Sequence, residues 1–384
     1  MSVWLDLLRR IEPFEEARFD PALVQEMEVR GGAPNAPHGV HFFTPTFKRY
    51  QSSELSCCSR GAWPALSITG PDCKLQCDHC KAKVLAPMIP ARSPEVLWEK
   101  VNDLVTRGAR GMLLTGGSNR RNEVEYGPFL PTVRRLKDRF PDFRIAVHSA
   151  LMDGEAAGLM AEAGVDVAMM DVIGAQETVT RVYHLKRRVE DFERTLEALV
   201  ATPMKVVPHI VLGLHYGRLL GEWEALAMIG RHRPDALVLV VVMPFYATAR
   251  RPFATPSSEV VGRFFLDARR ALPSIPILLG CARPAGIAKA EIDAYAILAG
   301  LDGIAHPANG VVELAARLGR RVKVTASCCS LGVNEELMAL EGDGGVELDL
   351  DAILAEERLR YGMHHPAGGA FDVQQLFAKG VRGR

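Results

Sequence analysis

The sequence has no excess of charge of either sign, since its 384 residues carry 46 lysines and arginines against 46 aspartates and glutamates. Without an overall positive field to displace counterions from phosphate, the protein is not expected to bind nucleic acid. Long uncharged hydrophobic runs are also absent, because the best of them, residues 236–246, falls short of the ~18 residues that a membrane-spanning helix needs. Residues 1–10 include an acid within their apolar stretch and show no small-residue cleavage site, so no signal peptide is predicted. We expect a cytoplasmic protein that acts neither on nucleic acid nor in a membrane.

Cysteine, by contrast, is abundant, with eight residues in the chain. A cytosolic compartment keeps thiols reduced, so these cysteines are not expected to form disulfides. They also occur in groups, which favours metal ligation over the packing of isolated thiols. The groups are Cys57 with Cys58, then Cys73, Cys77 and Cys80, then Cys281 alone, and finally Cys328 with Cys329.

From residue 65 onward, short runs rich in Val, Ile, Leu and Met alternate with amphipathic helical stretches. Such nearly continuous apolar runs are typical of strands that are buried on both faces of a parallel sheet. The predicted strands are 65–69, 111–115, 144–148, 165–172, 206–213, 236–243, 276–280 and 303–306. The predicted helices are 94–106, 129–139, 154–163, 189–201, 222–231, 258–271, 288–299 and 311–318. Strict alternation of this kind predicts an α/β fold of the (β/α)8 TIM-barrel type, with a doubly wound sheet as the alternative.

The predicted barrel occupies residues 61–320 and is flanked by two extensions. Residues 1–60 contain two predicted helices and an extended segment that carries Cys57 and Cys58, and residues 321–384 carry Cys328 and Cys329. In a barrel of this type the chemistry lies in the loops that follow the C-terminal ends of the strands. Ligating and hydrogen-bonding residues do follow the predicted strands, among them Cys73, Ser118, His148, Asp171, His215, Cys281, Arg283 and His306.

Cys73, Cys77 and Cys80 form a CxxxCxxC motif directly after the first barrel strand. Three thiolates so close in sequence can bind three irons of a [4Fe–4S] cluster and leave the fourth iron without a protein ligand. Zinc sites usually close a tetrahedron with four ligands, whereas this loop supplies three. The motif therefore predicts an iron–sulfur cluster with one open position, with a zinc site as the alternative.

A CxxxCxxC motif in this place resembles the radical S-adenosylmethionine (radical SAM) superfamily. The resemblance implies that the open iron is chelated by S-adenosylmethionine (SAM), which is cleaved after one-electron reduction to a 5′-deoxyadenosyl radical. The motif Gly116-Gly117-Ser118 matches the family's GGE motif with serine in place of glutamate. The residues that the resemblance places at the cofactor are His79, Gly116, Gly117, Ser118, Asp171 and Gly213, and His148 is a further candidate. Asp171 as a strand-end cap and His148 as a core histidine are the structural alternatives.

The remaining five cysteines are not needed for this cofactor, and they suggest a second, auxiliary iron–sulfur cluster. The segment LLGCARPAG resembles the part of biotin synthase where an arginine ligates such a cluster, so Cys281 and Arg283 are both candidates. The two Cys-Cys pairs are expected to meet at one rim, because the first and last elements of a closed barrel are neighbours. Successive side chains point apart in an extended chain, so one cysteine of each pair is expected to ligate. Burial as small hydrophobic residues is the alternative for these pairs.

The segments VPHIVLGLHYGRLLGE, LLGCARPAG and SCCSLGV resemble the biotin-synthase-like proteins of the split, two-protein lipoyl synthase, over about residues 50–335. The resemblance implies a sulfurtransferase of lipoate biosynthesis that inserts one of two sulfurs into an octanoyl chain bound to a protein or peptide. It implies three partners: an octanoylated lipoyl carrier domain or H-protein, a sister lipoyl synthase protein, and ferredoxin or flavodoxin as low-potential electron donor. The basic run at 184–188 is a candidate docking site for the acidic carrier, and a solvated charged surface is the alternative.

Three other functions stay open at this point. Two are enzymatic: sulfur insertion into dethiobiotin, and a radical SAM mutase or methylase of cofactor assembly that would lack the auxiliary cluster. The third is a non-catalytic iron–sulfur electron carrier, although carriers close all four cluster positions and this motif leaves one open.

Overall fold

The computed structural model describes residues 2–31, 39–45, 52–55, 63–243 and 253–331. The strands are β1 (Val40–Phe43), β2 (Ala65–Ser67), β3 (Ile89–Pro90), β4 (Gly111–Thr115), β5 (Arg144–His148), β6 (Val167–Asp171), β7 (Lys205–Leu212), β8 (Leu237–Val241), β9 (Ile277–Leu279), β10 (Gly303–Ala305) and β11 (Val322–Thr325). The helices are α1 (Val3–Leu8), α2 (Pro21–Glu26), α3 (Pro94–Thr106), α4 (Leu130–Arg139), α5 (Gly154–Glu162), α6 (Gln176–Arg181), α7 (Val189–Val200), α8 (Glu222–His232), α9 (Ser258–Ala271), α10 (Ile287–Leu298) and α11 (Val311–Arg317).

All of these strands join one parallel sheet in the order β11-β1-β10-β9-β8-β7-β6-β5-β4-β2-β3. The eight predicted barrel strands are β2 and β4 to β10, and they are neighbours in the predicted order. The α/β barrel-type fold is therefore confirmed. The sheet is open, however, and β2 and β10 do not pair within the described residues. The free edge of β10 pairs instead with β1, from the segment predicted to be extended, and β11 continues the sheet beyond it.

The sheet is strongly curled, because side chains from strands at distant positions in it pack into a single interior cluster. Its buried members are Phe43, Trp63, Ala146, Val167, Met169, Val207, Ala236, Val238, Leu278, Ala305, Cys329 and Leu331. Alternate residues of a strand face the same side of the sheet, so the last inward positions of β5 and β6 are His148 and Asp171, and His209 is an inward position near the end of β7. The curl thus brings polar side chains together at the C-terminal ends of the strands.

Helices cover the outer face, and several begin with the residues expected for a helix start. Ser93 caps α3 by accepting a hydrogen bond from the Val96 backbone, and Pro94 occupies the first position of the helix. The outer core between these helices and the sheet is a second, larger hydrophobic cluster. At the N-terminus, α1 ends at Leu8, and a separate 3-10 turn, Glu12–Phe14, follows it with Pro13 near its start. No helix in the part of the chain that the structure describes combines the length and hydrophobicity needed to cross a bilayer.

After β11 the chain turns into the interior of the curled sheet. Residues 327–331, here called the plug, contact β6 and β10, and Cys329 and Leu331 are buried in the interior cluster. Leu331 also lines a crevice with Arg110 and Arg144 at the N-terminal ends of β4 and β5. The predicted C-terminal extension therefore begins as β11 and then enters the barrel. Residues 332–384 and the pair Cys57 and Cys58 lie outside the described residues, and the boundaries at 60 and 320 stay predictions.

Candidate functional site

A cavity of about 390 Å³ lies at the C-terminal ends of the strands, and its walls are predominantly apolar. All six cysteines of the described residues line it, namely Cys73, Cys77, Cys80, Cys281, Cys328 and Cys329. Six of the seven residues predicted to contact the cofactor line it as well: His79, Gly116, Gly117, Ser118, His148 and Asp171. Gly213 is the exception. The structure therefore brings nearly the whole predicted site to one cavity.

The three-cysteine loop is shaped by side chains at the end of β2. The Ser67 hydroxyl donates to the Gly70 carbonyl (2.6 Å) and the Thr69 hydroxyl donates to the Asp72 carbonyl (2.8 Å), which turns the chain toward the first cysteine. Further on, Gln76, Lys81 and Ala82 have φ angles of 51°, 47° and 60°, in the left-handed region. Residues with a side chain adopt this region only where surrounding contacts hold them there.

The thiols of Cys77 and Cys80 hydrogen-bond each other inside this loop. The hydrogen bond with Cys77 lowers the pKa of Cys80 well below that of an ordinary thiol, and the neighbouring His79 imidazole lowers it further against the effect of burial. The same hydrogen bond, together with burial, raises the pKa of Cys77. The two thiols thus lie close together on the inner side of the loop.

The Gly116-Gly117-Ser118 turn after β4 packs directly on the cysteine loop. The Gly117 backbone donates to the Thr69 hydroxyl (2.7 Å), and the Ser118 carbonyl accepts from the Cys73 thiol (3.7 Å). A Cβ atom at Gly117 would lie only 1.9 Å from the Asp72 carbonyl oxygen, so any side chain would force the two segments apart. The contact thus holds the Gly116–Ser118 turn directly beside the first cysteine of the motif.

Within the described ranges, no three side chains of His, Cys, Asp or Glu converge on a point that one metal ion would occupy. A [4Fe–4S] cluster requires no such convergence, because each thiolate binds a different iron atom. The donor set of Cys73, Cys77 and Cys80 therefore fits a three-ligand cluster.

Asp171 lies at the end of β6 between two histidines. Its Oδ1 lies 3.7 Å from Nε2 of His148, and the Tyr183 hydroxyl donates to its Oδ2 (3.4 Å). Burial would raise the pKa of Asp171, but His148, His209 and His79 together lower it to about 2. Burial and the nearby His148 lower the pKa of His209 to about 4. At neutral pH the cavity thus presents a carboxylate and a neutral imidazole, which both accept hydrogen bonds from hydroxyl or amino groups.

Three residues of this region were not among the sequence candidates. His209 was not predicted because β7 reads as a continuous apolar run. It alternates with Val207 and Val211 along the strand, and all three face the interior. Tyr183 follows the short helix α6, and its ring packs against His79 at 5.0 Å between centroids. Asp78 lies inside the cysteine motif. The sequence gives no sign that its side chain is buried, and only its contacts in the structure show this.

Cys281, Cys328 and Cys329 form the second group of cysteines on the cavity, and they pack on the interior cluster. The hydrogen bond with Cys329, aided by Ser330 against the effect of burial, lowers the pKa of Cys328 to about 7. The hydrogen bond with Cys328 and burial raise the pKa of Cys329, and Cys281 adds to this effect. Only the predicted contribution of Cys57 and Cys58 lies outside the described residues.

Arg283, the other candidate ligand near β9, does not line the cavity. Its buried guanidinium forms two hydrogen bonds with Asp293 (2.5 and 2.9 Å) and also donates to the carbonyls of Gly280 and His306. With its donors engaged in this way, the arginine holds the end of β9 and the loop after β10 together. Cys281 is the residue here that faces the cavity.

Gly213 lies in the turn after β7, outside the cavity lining, while Val211 lines it. Its φ of +79° requires glycine, and its backbone donates to Glu222 Oε1 (3.0 Å). Burial raises the pKa of Glu222 to about 7 despite several backbone hydrogen bonds. The pair therefore shapes the turn rather than contacting the contents of the cavity.

The basic run at 184–188 is partly engaged within the protein. His184 donates to Asp78 (3.0 Å), and Arg187 forms an ion pair with Glu123 (2.5 Å). The exposed Arg188 lies 3.4 Å from Glu190, and Lys186 is exposed. His184, Arg187 and Arg188 are therefore paired with acidic side chains of this protein, and the segment lies next to the cysteine loop through the contact of His184 with Asp78.

The family model described as the Radical SAM superfamily matches residues 67–221. No curated protein matches the chain significantly. Among solved structures, HydG, a maturase of the [FeFe]-hydrogenase, is 12% identical, with a TM-score of 0.52 over 88% of this chain and 78% of HydG. Methylornithine synthase (PylB) is 13% identical, with a TM-score of 0.49 over 98% of this chain and 97% of its own. Streptococcus suis SuiB bound to S-adenosylmethionine is 10% identical, with a TM-score of 0.42 over 64% of this chain and 58% of its own. At this identity, the HydG match shows a shared fold and no more.

Proposed function

We propose that the protein is a radical SAM sulfurtransferase of lipoate biosynthesis, which inserts one sulfur into an unactivated C–H bond of a protein- or peptide-bound octanoyl chain. The observation that carries this proposal is the placement of two separate cysteine groups on one predominantly apolar cavity. The first group alone would be enough for SAM cleavage. Sulfur insertion also needs a sulfur source, and the second group would hold it.

The first group would hold the SAM-binding cluster through Cys73, Cys77 and Cys80. The backbone at Gly117 and Ser118 would face the amino group of SAM, and Asp171 would accept hydrogen bonds from the ribose hydroxyls. When bound, the cluster and SAM would supply a 5′-deoxyadenosyl radical that can remove hydrogen from an unactivated carbon. The protein's own part is to hold these groups inside a cavity where the apolar walls exclude water.

The second group would hold the auxiliary cluster through Cys281 and at least one of Cys328 and Cys329. Leu113, Met169, Val211, Val238 and Val240 line the same cavity and suit an alkyl chain. Overall, a C–H bond of that chain would be replaced by a C–S bond, with the hydrogen leaving in 5′-deoxyadenosine and the sulfur coming from the auxiliary cluster.

The partners follow from this chemistry. An octanoylated lipoyl carrier domain or H-protein would present the acyl chain, a sister protein would insert the second sulfur, and ferredoxin or flavodoxin would supply the electron. The formal net charge of the protein is zero, so an acidic carrier would need a local basic surface. In the segment 184–188, the exposed side chains of Lys186 and Arg188 are the candidates for such a surface.

The test is mass spectrometry of an octanoylated peptide after anaerobic turnover with SAM and a reductant. We expect a gain of one sulfur per chain, and about eight irons per reconstituted protein, since each [4Fe–4S] cluster contributes four. Cys281→Ala should lower the iron content toward about four and abolish sulfur gain while 5′-deoxyadenosine is still produced.

The alternatives predict different results. An unchanged peptide together with conversion of dethiobiotin would replace the proposal by biotin-synthase-type chemistry. About four irons in the wild-type protein with active SAM cleavage would favour a mutase or methylase. If no 5′-deoxyadenosine is formed, the result would favour the non-catalytic electron carrier over the three enzymatic functions.

A further inference from the structure

Asp78 is a buried carboxylate within the cysteine motif, between Cys77 and Cys80, and its side chain is only 1% exposed. Burying a carboxylate is unfavourable unless donors surround it. Lys81 donates to its Oδ1 (2.5 Å), His184 also donates to Oδ1 (3.0 Å), and Tyr216 donates to Oδ2 (2.9 Å). This acid thus joins the cysteine loop to the loops that follow β6 and β7.

Two hydrogen bonds connect Asp78 to the loop that follows β6. Besides the His184 side chain, the Asp78 backbone N–H donates to the Val182 carbonyl (2.9 Å). Tyr183, between these two residues, packs its ring against His79 and donates its hydroxyl to Asp171. A three-residue segment, 182–184, therefore contacts both the cysteine loop and the acid at the end of β6.

The donors to Asp78 are themselves held in costly conformations. His184 and Tyr216 have φ angles of 57° and 55°, in the left-handed region that a non-glycine residue adopts only under constraint. The Tyr216 hydroxyl also lies 3.0 Å from the Arg181 carbonyl, at the end of α6. Removing the central acceptor would release both strained residues and loosen the segment between them.

We propose that Asp78 is a positioning residue that sets the distance between the three-thiol loop and Asp171, and so fixes where the two ends of SAM can bind. The inference rests on the proposed radical SAM function. Asp78 acts through Lys81, His184 and Tyr216 and does not itself contact the cofactor. Its role is to match the cluster end of the cofactor site to the nucleoside end.

The test compares Asp78→Asn with Asp72→Asn in reconstituted, full-length protein. Asp72 belongs to the same loop and carries the same charge, but its side chain is 71% exposed and pairs with Arg92. Iron content, SAM affinity and the EPR signal of the reduced cluster with and without SAM are measured anaerobically. We expect Asp78→Asn to retain the iron of the SAM-binding cluster, to bind SAM at least tenfold more weakly, and to lose most of the SAM-induced EPR change. Asp72→Asn should match the wild type.

Wild-type SAM affinity and an unchanged EPR response in Asp78→Asn would overturn the positioning role, as would loss of the cluster itself with no separate effect on SAM. If Asp78→Asn does not fold, Tyr216→Phe provides the same test, because it removes one donor and keeps the ring that packs on Phe253. Where both fold, the double variant should bind SAM no more weakly than Asp78→Asn, and additive losses would contradict a shared joint. A wild-type protein whose EPR signal ignores SAM would refute the proposed function instead.

Discussion

At the scale of single residues, the geometry and charge of the site depend on a few side chains whose surroundings are tightly packed. Gly117 allows two backbone segments to touch, and Asp171 stays ionised between histidines. Each of these properties comes from neighbours that are distant in sequence. The chemistry of the residue type alone would not distinguish Gly117 from the other glycines in the chain.

Gly117→Ala should destabilise the protein by about 1–3 kcal/mol, the usual cost of forcing extra volume into a packed site. The added Cβ would lie 1.9 Å from the Asp72 carbonyl and 2.6 Å from Cα of Cys73, and both are backbone atoms that cannot rotate away. Urea denaturation of the unloaded protein measures the change. Gly158→Ala is the control, because a Cβ there meets nothing within 4 Å and alanine is favoured inside α5. Equal stability of the two variants would contradict the close approach.

His209 should make the stability of the unloaded protein fall as the pH drops from about 6.5 to about 4. Burial and the nearby His148 lower its folded-state pKa to about 4, whereas an unperturbed histidine has a pKa of 6.5. The unfolded chain therefore binds more protons in this window, and stability rises with pH there. His209→Gln should flatten this part of a plot of denaturation midpoint against pH. An equal slope in wild type and His209→Gln would show that His209 does not titrate as described.

At the scale of elements, two short segments place the site residues. Helix α6 carries the chain from β6 to Tyr183 and His184, and the plug carries Cys328 and Cys329 back into the barrel. The sequence did not predict α6, because its N-cap, Ala175, forms no side-chain cap and its six residues are too few for a hydrophobic period. The plug was expected only as the start of an extension, and its burial depends on the interior space that the curled sheet leaves.

Leu331→Ala should lower the free energy of unfolding by about 2–5 kcal/mol, as for other large-to-small changes in a core. Leu331 is 2% exposed and belongs to the interior cluster, so its removal leaves a cavity at the base of the barrel. Leu159→Ala on α5 removes the same atoms from a side chain that is 49% exposed, and its effect should stay within about 0.5 kcal/mol. Thermal or urea unfolding compares the two. A small effect of Leu331→Ala would mean that the plug does not pack inside the barrel.

At the scale of the whole molecule, one curled sheet gathers residues that are far apart in the chain. The cavity lining runs from Pro45 to Cys329, and the two cysteine groups that share it are separated by about half of the sequence. Strand order alone does not produce this meeting, since a flat sheet of the same order would keep β2 and β9 apart. Curvature converts a linear series of strand ends into one enclosed site.

Much of the fold and of the first cysteine group was predictable, because both depend on local patterns. Buried parallel strands read as apolar runs, helices carry capping residues and periodic apolar positions, and CxxxCxxC is a contiguous motif. Three features were not predictable. They are the inward orientation of His209 on β7, the hydrogen bonds that converge on Asp78, and the pairing of Arg283 with Asp293. These depend on which side chains face one another after the strands are assembled, and no local pattern records it.

By itself, therefore, the sequence determined the α/β architecture, the order of the barrel strands and the place of the three-cysteine motif after β2. The tertiary structure decided that the sheet stays open, that β1 and β11 continue it past β10, and that the plug fills its interior. It also decided that Cys281 faces the cavity while Arg283 is buried against Asp293. The physical reason is that a local motif follows from neighbouring residues in the chain, whereas burial and facing direction follow from the curvature of the whole sheet.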